Sequence, residues 1–140
     1  MVEKPLRTNM KRILIVEDNA FFLQFLKETM QLRFSWIDIL EAANGEEAIR
    51  KIEASSPEAI FMDLRLPGEN GLELTKKIKA QYPNIIVVIL TNYDLPEYRD
   101  AAYQSGADHF FSKDSFLNMI NSILTVQDIA KDNANSKGAH

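Results

Sequence analysis

Residues 13–19 read ILIVEDN, a run of four aliphatic residues that ends abruptly in two acidic residues and an asparagine. The runs AIFM at 59–62 and IIVVIL at 85–90 have the same apolar character, and they are followed directly by Asp63 and Thr91. Short apolar runs without alternation are typical of strands buried on both faces of a parallel sheet. The three runs therefore predict strands that each deliver a polar side chain at their carboxyl end.

Amphipathic stretches alternate with these apolar runs along the chain. Apolar residues recur at helical spacing between Phe22 and Met30, and Asn44 with Glu47 resembles a capping box that opens a second helix. Further strands are predicted at 36–40 and 110–111, and further helices between 71 and Pro83 and between Pro96 and Gly106. A last helix, capped by Ser115, is predicted through Leu124. Five strand–helix units in succession predict an α/β fold, a doubly wound parallel sheet with helices on both faces.

Composition and charge exclude several classes of protein. The 140 residues include no cysteine, so thiolate zinc sites, iron–sulfur clusters and cysteine nucleophiles are excluded. The 16 basic and 20 acidic residues give a formal net charge of −4, which does not suit binding to nucleic acid or to an anionic membrane. Without a transmembrane-length apolar run or a secretory signal, we predict a cytoplasmic protein with a folded domain at 11–128 and flexible tails at 1–10 and 129–140.

Polar side chains follow the predicted strands at their carboxyl ends. The first strand delivers Glu17 and Asp18, and the later strands deliver Asp63, Thr91 and Lys113. Ligands of doubly wound sheets bind at this edge. Three carboxylates in one place need a positive partner, and an all-oxygen cluster with room for water suits Mg²⁺. A carboxylate beside Mg²⁺, a hydroxyl and a lysine is a set of groups suited to phosphoryl transfer onto an aspartate.

Four segments together resemble the receiver domain of bacterial two-component response regulators, in particular the chemotaxis receivers. The segments are ILIVEDN at 13–19, FMDLRLPGENGLEL at 61–74, Thr91, and GADHFFSKDS at 106–115. The resemblance covers about residues 11–128, and the lysine stands 22 residues after the threonine. It implies a flavodoxin-like sheet of five parallel strands in the order 2-1-3-4-5.

The resemblance also implies a role for each residue of the acidic site. Asp63 would be the phospho-acceptor, taking the phosphoryl group from the histidine of a sensor histidine kinase, and Lys113 would hold a phosphoryl oxygen. The ligands of Mg²⁺ would be Asp18, Asp63 and the backbone carbonyl of Arg65, with Glu17 acting through a metal-bound water. Such a protein assists its own phosphorylation and dephosphorylation, and it is not an enzyme in the metabolic sense.

A switch is a further implication of the resemblance. Thr91 would move toward the phosphate, coupled to rotation of the aromatic residue at position 110, which is Phe110 here and commonly tyrosine in the family. The movement would change the face formed by strand 4, helix 4 and strand 5, which would bind a phosphotransfer protein or a downstream effector. Arg65 and Tyr93, two residues beyond Asp63 and Thr91, are candidates for tuning the rate of dephosphorylation.

Three other classes with related folds each need a group that this chain lacks. A flavodoxin-like cofactor carrier needs a Ser/Thr/Gly-rich phosphate loop after strand 1, where Glu17 and Asp18 would repel a phosphate. A phosphatase of the haloacid dehalogenase type needs an aspartate at the position of Ala20, and a toprim-type enzyme needs one at the position of Arg65. The alternative that stays open is a pseudo-receiver, a protein-binding module of the same fold that acts without phosphorylation.

Overall fold

Five parallel strands form one sheet at the centre of the molecule. The computed structural model describes residues 10–119, so the predicted C-terminal tail, the part of the last helix predicted at 120–124 and residues 1–9 lie outside the described residues. The strands are β1 (Arg12–Val16), β2 (Asp38–Ala42), β3 (Ala59–Met62), β4 (Ile86–Thr91) and β5 (His109–Ser112). Their order is β2-β1-β3-β4-β5, which confirms the predicted doubly wound sheet of order 2-1-3-4-5.

Helices cover both faces of this sheet. They are α1 (Ala20–Arg33), α2 (Gly45–Ser55), α3 (Gly71–Gln81), α4 (Pro96–Gln104) and α5 (Phe116–Met119). One apolar cluster joins the sheet to α1 and α5, and a second cluster joins it to α2, α3 and α4. Within residues 10–119, no helix combines the length and the apolar character that crossing a bilayer would require.

The strand β1 shows why its sequence is apolar at every central position. Ile13 and Ile15 lie in the cluster beneath α1, whereas Leu14 and Val16 lie in the cluster beneath α2 and α3. Successive side chains of a strand face opposite sides of the sheet, so a strand covered on both faces needs apolar residues throughout. Burying each such side chain stabilises the fold by roughly 1.5–3 kcal/mol relative to exposure.

Asparagine caps begin the first two helices at the carboxyl edge of the sheet. The N–H of Phe22 donates to the Asn19 side chain at 3.0 Å, and the N–H of Glu47 donates to the Asn44 side chain at 2.9 Å. The Glu47 carboxylate accepts in return from the N–H of Ala43 at 2.9 Å, one residue before the cap that the sequence predicts. These caps satisfy backbone donors of each first turn and so fix where each helix leaves the sheet edge.

The second strand lies two residues later than the sequence predicts. It is Asp38–Ala42 rather than 36–40, because Trp36 is half-exposed and lies in the turn that precedes the strand. Glu41, which interrupts the apolar pattern, is inside the strand and pairs with Lys27 at 2.5 Å. A strand at the edge of a sheet accepts such a polar residue, so apolar character alone misplaces it.

The described chain differs from the sequence-based expectation at the N-terminal end of the domain and agrees with it at the start of the last helix. Met10, which the sequence places in the N-terminal tail, is buried in the cluster beneath α1. The sequence predicts that Ser115 caps the last helix, and α5 begins at the next residue, Phe116, after a 3-10 turn at Lys113–Ser115. The turn keeps Lys113 next to the end of β5, at the edge of the sheet.

Replacing Ser56 by glycine should stabilise the fold. Ser56 follows α2 with φ +48° and ψ +62°, and it is the one non-glycine residue between 10 and 119 with a positive φ. Left-handed backbone costs an L-residue about 1–2 kcal/mol, which exceeds the entropic cost of glycine of about 0.5–1 kcal/mol. We expect Ser56→Gly to raise the free energy of unfolding by about 0.5–1 kcal/mol, measured by urea unfolding with an unchanged slope. Ser56→Ala is the control, and an equal gain there would contradict the backbone explanation.

Candidate functional site

The carboxyl edge of the sheet brings together the three predicted carboxylates. Glu17 and Asp18 follow β1, Asp63 follows the adjacent strand β3, and one oxygen of each lies within 4.8 Å of the others. Glu17 and Asp63 are buried, Asp63 with 8% of its surface exposed, whereas Asp18 is exposed to solvent. The acidic cluster is therefore formed, and it opens to solvent on the side of Asp18.

Lys113 supplies a positive charge beside these carboxylates. Its Nζ lies 2.6 Å from Glu17 Oε1 and 3.0 Å from Asp63 Oδ2, and the side chain is buried. The ring of Phe22 faces the same ammonium, with Nζ 4.6 Å from the ring centroid. Burial works to lower the pKa of Lys113, but the hydrogen bonds to Glu17 and Asp63 outweigh it and raise the pKa above its ordinary value. Lys113 is therefore charged at neutral pH.

Glu17 connects the lysine to the first turn of the site. Its Oε2 accepts from the N–H of Asn19 at 3.1 Å, while Oε1 contacts Lys113. Burial raises the pKa of the Glu17 carboxyl above its ordinary value, although the hydrogen bond from Lys113 opposes that rise. Three carboxylates thus face one ammonium. The donor set consists of oxygens and carries excess negative charge, so it fits Mg²⁺ with an open side for water or a phosphoryl oxygen.

Two loops that follow neighbouring strands meet through Arg65 and Tyr93. The N–H of Arg65 is 3.4 Å from Asp63 Oδ1, and the N–H of Tyr93 donates to Oγ1 of the fully buried Thr91 at 3.2 Å. The Arg65 guanidinium lies over the Tyr93 ring, with its central carbon 4.1 Å from the centroid. The sequence suggests the two residues separately, and the structure joins them in a cation–π contact that we call the Arg65–Tyr93 clasp.

Phe110 points into the core, with 1% of its surface exposed in the cluster beneath α2, α3 and α4. Arg99 of α4 lies over the Phe110 ring at 5.0 Å from the centroid, and its guanidinium pairs with Asp94 at 3.0 Å. Neither Arg99 nor Phe22 stands out in the sequence, because their local pattern is that of ordinary helix residues. Their contacts with Phe110 and Lys113 depend on the tertiary fold.

The chain is similar to known proteins over most of its length. Residues 13–125 match the family model described as response regulator receiver domain. Chemotaxis protein CheY of Halobacterium salinarum is 30% identical over 120 residues, covering 83% of this chain and 98% of that protein. A cyclic di-GMP phosphodiesterase of Thermotoga maritima is 33% identical over 113 residues, covering 81% of this chain and only 30% of that protein. The crystal structure of the Mn²⁺-bound form of response regulator Rcp1 is 25% identical with a TM-score of 0.68, covering 84% of this chain and 94% of that chain.

Neutralising Asp18 should stabilise the metal-free protein. Its carboxylate lies within 4.8 Å of those of Glu17 and Asp63, and the ion pairs of the described residues do not include it. Two like charges at such a distance repel by about 1 kcal/mol even in water. We expect Asp18→Asn to raise the free energy of unfolding by about 1 kcal/mol in buffer with EDTA, measured by urea unfolding. Asp100→Asn, at an exposed position of α4, is the matched control and should change little. A less stable Asp18→Asn would contradict the repulsion.

Proposed function

The chain belongs to the family of response regulator receiver domains of two-component systems, and we propose that Asp63 is its phospho-acceptor. The phosphoryl group would come from the histidine of a sensor histidine kinase. The observation that carries this proposal is the setting of Asp63: buried at the carboxyl edge of the sheet, 3.0 Å from the Lys113 ammonium and within 4.8 Å of two further carboxylates. Such clustering of charged groups around a buried carboxylate is typical of functional sites.

The transfer would place an oxygen of Asp63 on phosphorus. A bond forms between that carboxylate oxygen and phosphorus while the bond from phosphorus to the donor nitrogen breaks, and the electron pair stays on the nitrogen. Lys113, which contacts Asp63 Oδ2, would hold a phosphoryl oxygen through a charge-assisted hydrogen bond. Glu17 fixes the lysine 2.6 Å away before any reaction, so the positive charge is already in place where negative charge accumulates.

The acidic cluster supports Mg²⁺ as the proposed cofactor. The ligands would be Asp18, Asp63 and the backbone carbonyl of Arg65, with Glu17 acting through a metal-bound water. Bound there, the cation would offset the negative charge of the carboxylates and of the incoming phosphoryl group. Two observations support this assignment: three side chains offer oxygens within 4.8 Å of one another, and the related regulator Rcp1 has a Mn²⁺-bound form.

Phosphorylation would change the face formed by β4, α4 and β5. Thr91 would turn its hydroxyl toward the phosphoryl group and away from the Tyr93 N–H, which donates to it at 3.2 Å. Phe110 would give up its inward packing and its contact with Arg99 at 5.0 Å. A face that packs differently in two states binds a phosphotransfer protein or a downstream effector with two affinities.

The proposed role is that of a cytoplasmic signalling module. Its own chemistry would be limited to gaining and losing the phosphoryl group on Asp63, and its output would be the changed surface. The receiver domain would occupy residues 10–128, one residue more than the sequence predicts, because Met10 is part of the core.

Phosphorylation of Asp63 can be tested directly by intact-protein mass spectrometry after incubation with acetyl phosphate. We expect one phosphoryl adduct on the wild-type protein in the presence of Mg²⁺ and none in EDTA. Asp63→Asn should carry no adduct, because the amide oxygen is a poor nucleophile. Asp100→Asn is the matched control, since it removes the same charge at an exposed position of α4, and it should be labelled like the wild-type protein.

Two outcomes of this experiment would contradict the proposal. An adduct that persists on Asp63→Asn would place the acceptor elsewhere in the chain. A folded wild-type protein that neither acetyl phosphate nor a histidine kinase labels would instead favour the pseudo-receiver, a module that binds its partner without phosphate.

The Arg65–Tyr93 clasp should slow the loss of the phosphoryl group. The clasp joins the loops after β3 and β4, and it lines a cavity of about 190 Å³ together with Tyr98. Removing it would give water easier access to the phosphorylated Asp63. We expect Arg65→Ala and Tyr93→Ala each to accelerate dephosphorylation about 2–5-fold, the change that a cation–π contact of about 0.5–1 kcal/mol predicts. The decay of the adduct after removal of the phosphodonor measures this rate.

The matched control for the clasp is Tyr93→Phe, which keeps the ring and should decay like the wild-type protein. The double variant Arg65→Ala/Tyr93→Ala should be no faster than either single variant, because both remove one contact. Accelerations that multiply in the double variant would show that the two residues act separately.

A further inference from the structure

The chain between Asp63 and α3 folds back on itself as a very short hairpin. Arg65–Leu66 pairs in antiparallel fashion with Glu69–Asn70. The base of the hairpin is closed, because the N–H of Gly71 donates to the Leu64 carbonyl at 2.7 Å. Strands of two residues form few ladder hydrogen bonds, and an isolated hairpin is at best marginally stable. The conformation of the Arg65 backbone therefore depends on contacts that the rest of the molecule makes with this hairpin.

Glu69 makes such contacts with two helices at once. Its Oε1 lies 2.8 Å from Lys77 Nζ of α3. Its other carboxylate oxygen occupies the space that a Cβ would fill at Gly45, the first residue of α2. The Glu69 side chain is only 22% exposed although its partner Lys77 is 64% exposed. The carboxylate thus lies against the first turn of α2, where the positive end of the helix dipole favours negative charge.

We propose that Glu69 is a positioning residue for metal binding: seated at Gly45 and paired with Lys77, it holds the hairpin so that the Arg65 backbone carbonyl is in place for Mg²⁺. The inference rests on the proposed function, which makes that carbonyl a ligand. Glu69 pairs with Leu66 across the hairpin, and Leu66 follows Arg65 in the chain, so a change at Glu69 would reach the Arg65 carbonyl through the backbone of this short hairpin. Removing a group that contacts and orients a metal ligand typically weakens metal affinity 10–100-fold.

An ordinary surface ion pair is the competing explanation of the same contact. Exposed Lys–Glu pairs contribute about 0–1 kcal/mol to the stability of the fold, and such a pair alone would not fix the hairpin. The contact between the Glu69 carboxylate and Gly45 separates the two explanations, because only the positioning role predicts that a change at Gly45 affects Mg²⁺ binding. A methyl group at position 45 would overlap the Glu69 carboxylate and displace this side chain from its position against α2, while leaving the net charge of the protein unchanged.

Isothermal titration calorimetry with MgCl₂ tests this inference on the full chain. We expect Gly45→Ala and Glu69→Ala each to weaken Mg²⁺ binding about 10-fold. The double variant Gly45→Ala/Glu69→Ala should bind no more weakly than Glu69→Ala alone, because alanine at 45 has nothing left to displace. Glu73→Ala is the matched control: it removes the same charge from an exposed residue of α3, paired with Lys76 at 3.4 Å, and should bind like the wild-type protein.

The outcomes distinguish this inference from the proposed function. A wild-type protein that does not bind Mg²⁺ overturns the metal site and, with it, the role of Glu69. Wild-type binding that Gly45→Ala and Glu69→Ala leave unchanged overturns the role of Glu69 alone. If Glu69→Ala weakens Mg²⁺ binding and Gly45→Ala does not, the effect comes from the charge of Glu69, and the positioning role is overturned. Urea unfolding checks that each variant is folded. Lys77→Met removes the ion pair but leaves the Glu69 carboxylate at Gly45, so it should lose less affinity for Mg²⁺ than Glu69→Ala.

Discussion

The structure depends on one arrangement of charge, in which the Lys113 ammonium lies between the buried carboxylates of Glu17 and Asp63. Breaking a buried ion pair by removing one partner typically costs about 3–5 kcal/mol, because a charge is left without compensation. The three groups follow β5, β1 and β3, so the ends of these strands must stay aligned for the arrangement to form. One lysine cannot balance three carboxylates, and the exposed Asp18 leaves the edge of the sheet negatively charged and open to a cation.

The sequence predicts those parts of the site that the sheet determines. Asp63 and Thr91 follow apolar runs, and parallel strands carry their carboxyl ends to a common edge, so knowing the strands is enough to bring these residues together. The prediction is weaker where burial is weaker. Glu41 at the edge of the sheet breaks the apolar pattern of β2, and Trp36, which looks like a strand residue, lies in the preceding turn. Periodicity reports burial, and an edge strand is only partly buried.

Contacts between loops are the part of the site that the sequence could not predict. Arg65 and Tyr93 are 28 positions apart and meet only because β3 and β4 are neighbours and both loops turn toward each other. Gly45 and Glu69 meet for a similar reason, at the junction of α2 with the hairpin. Neither pair lies within a repeating pattern, and each requires a backbone path that local residue preferences do not determine.

The absence of a hydroxyl on Phe110 changes the balance of forces in the proposed switch. The outward position offers this ring no hydrogen bond of its own, so what holds it inward is burial, worth roughly 1.5–3 kcal/mol, and the contact with Arg99, worth about 0.5–1 kcal/mol at a partly exposed site. On the other side, the hydrogen bond that Thr91 would donate to a phosphoryl group would contribute about 1.5–3 kcal/mol, as bonds to charged groups do. The opposing terms are of similar size, so in the proposed switch a single phosphoryl group would be enough to shift the equilibrium. In the proposed switch, the packing of Phe110 would therefore oppose the attraction of Thr91 to the phosphoryl group, and the contact with Arg99 would favour the inward position of the ring.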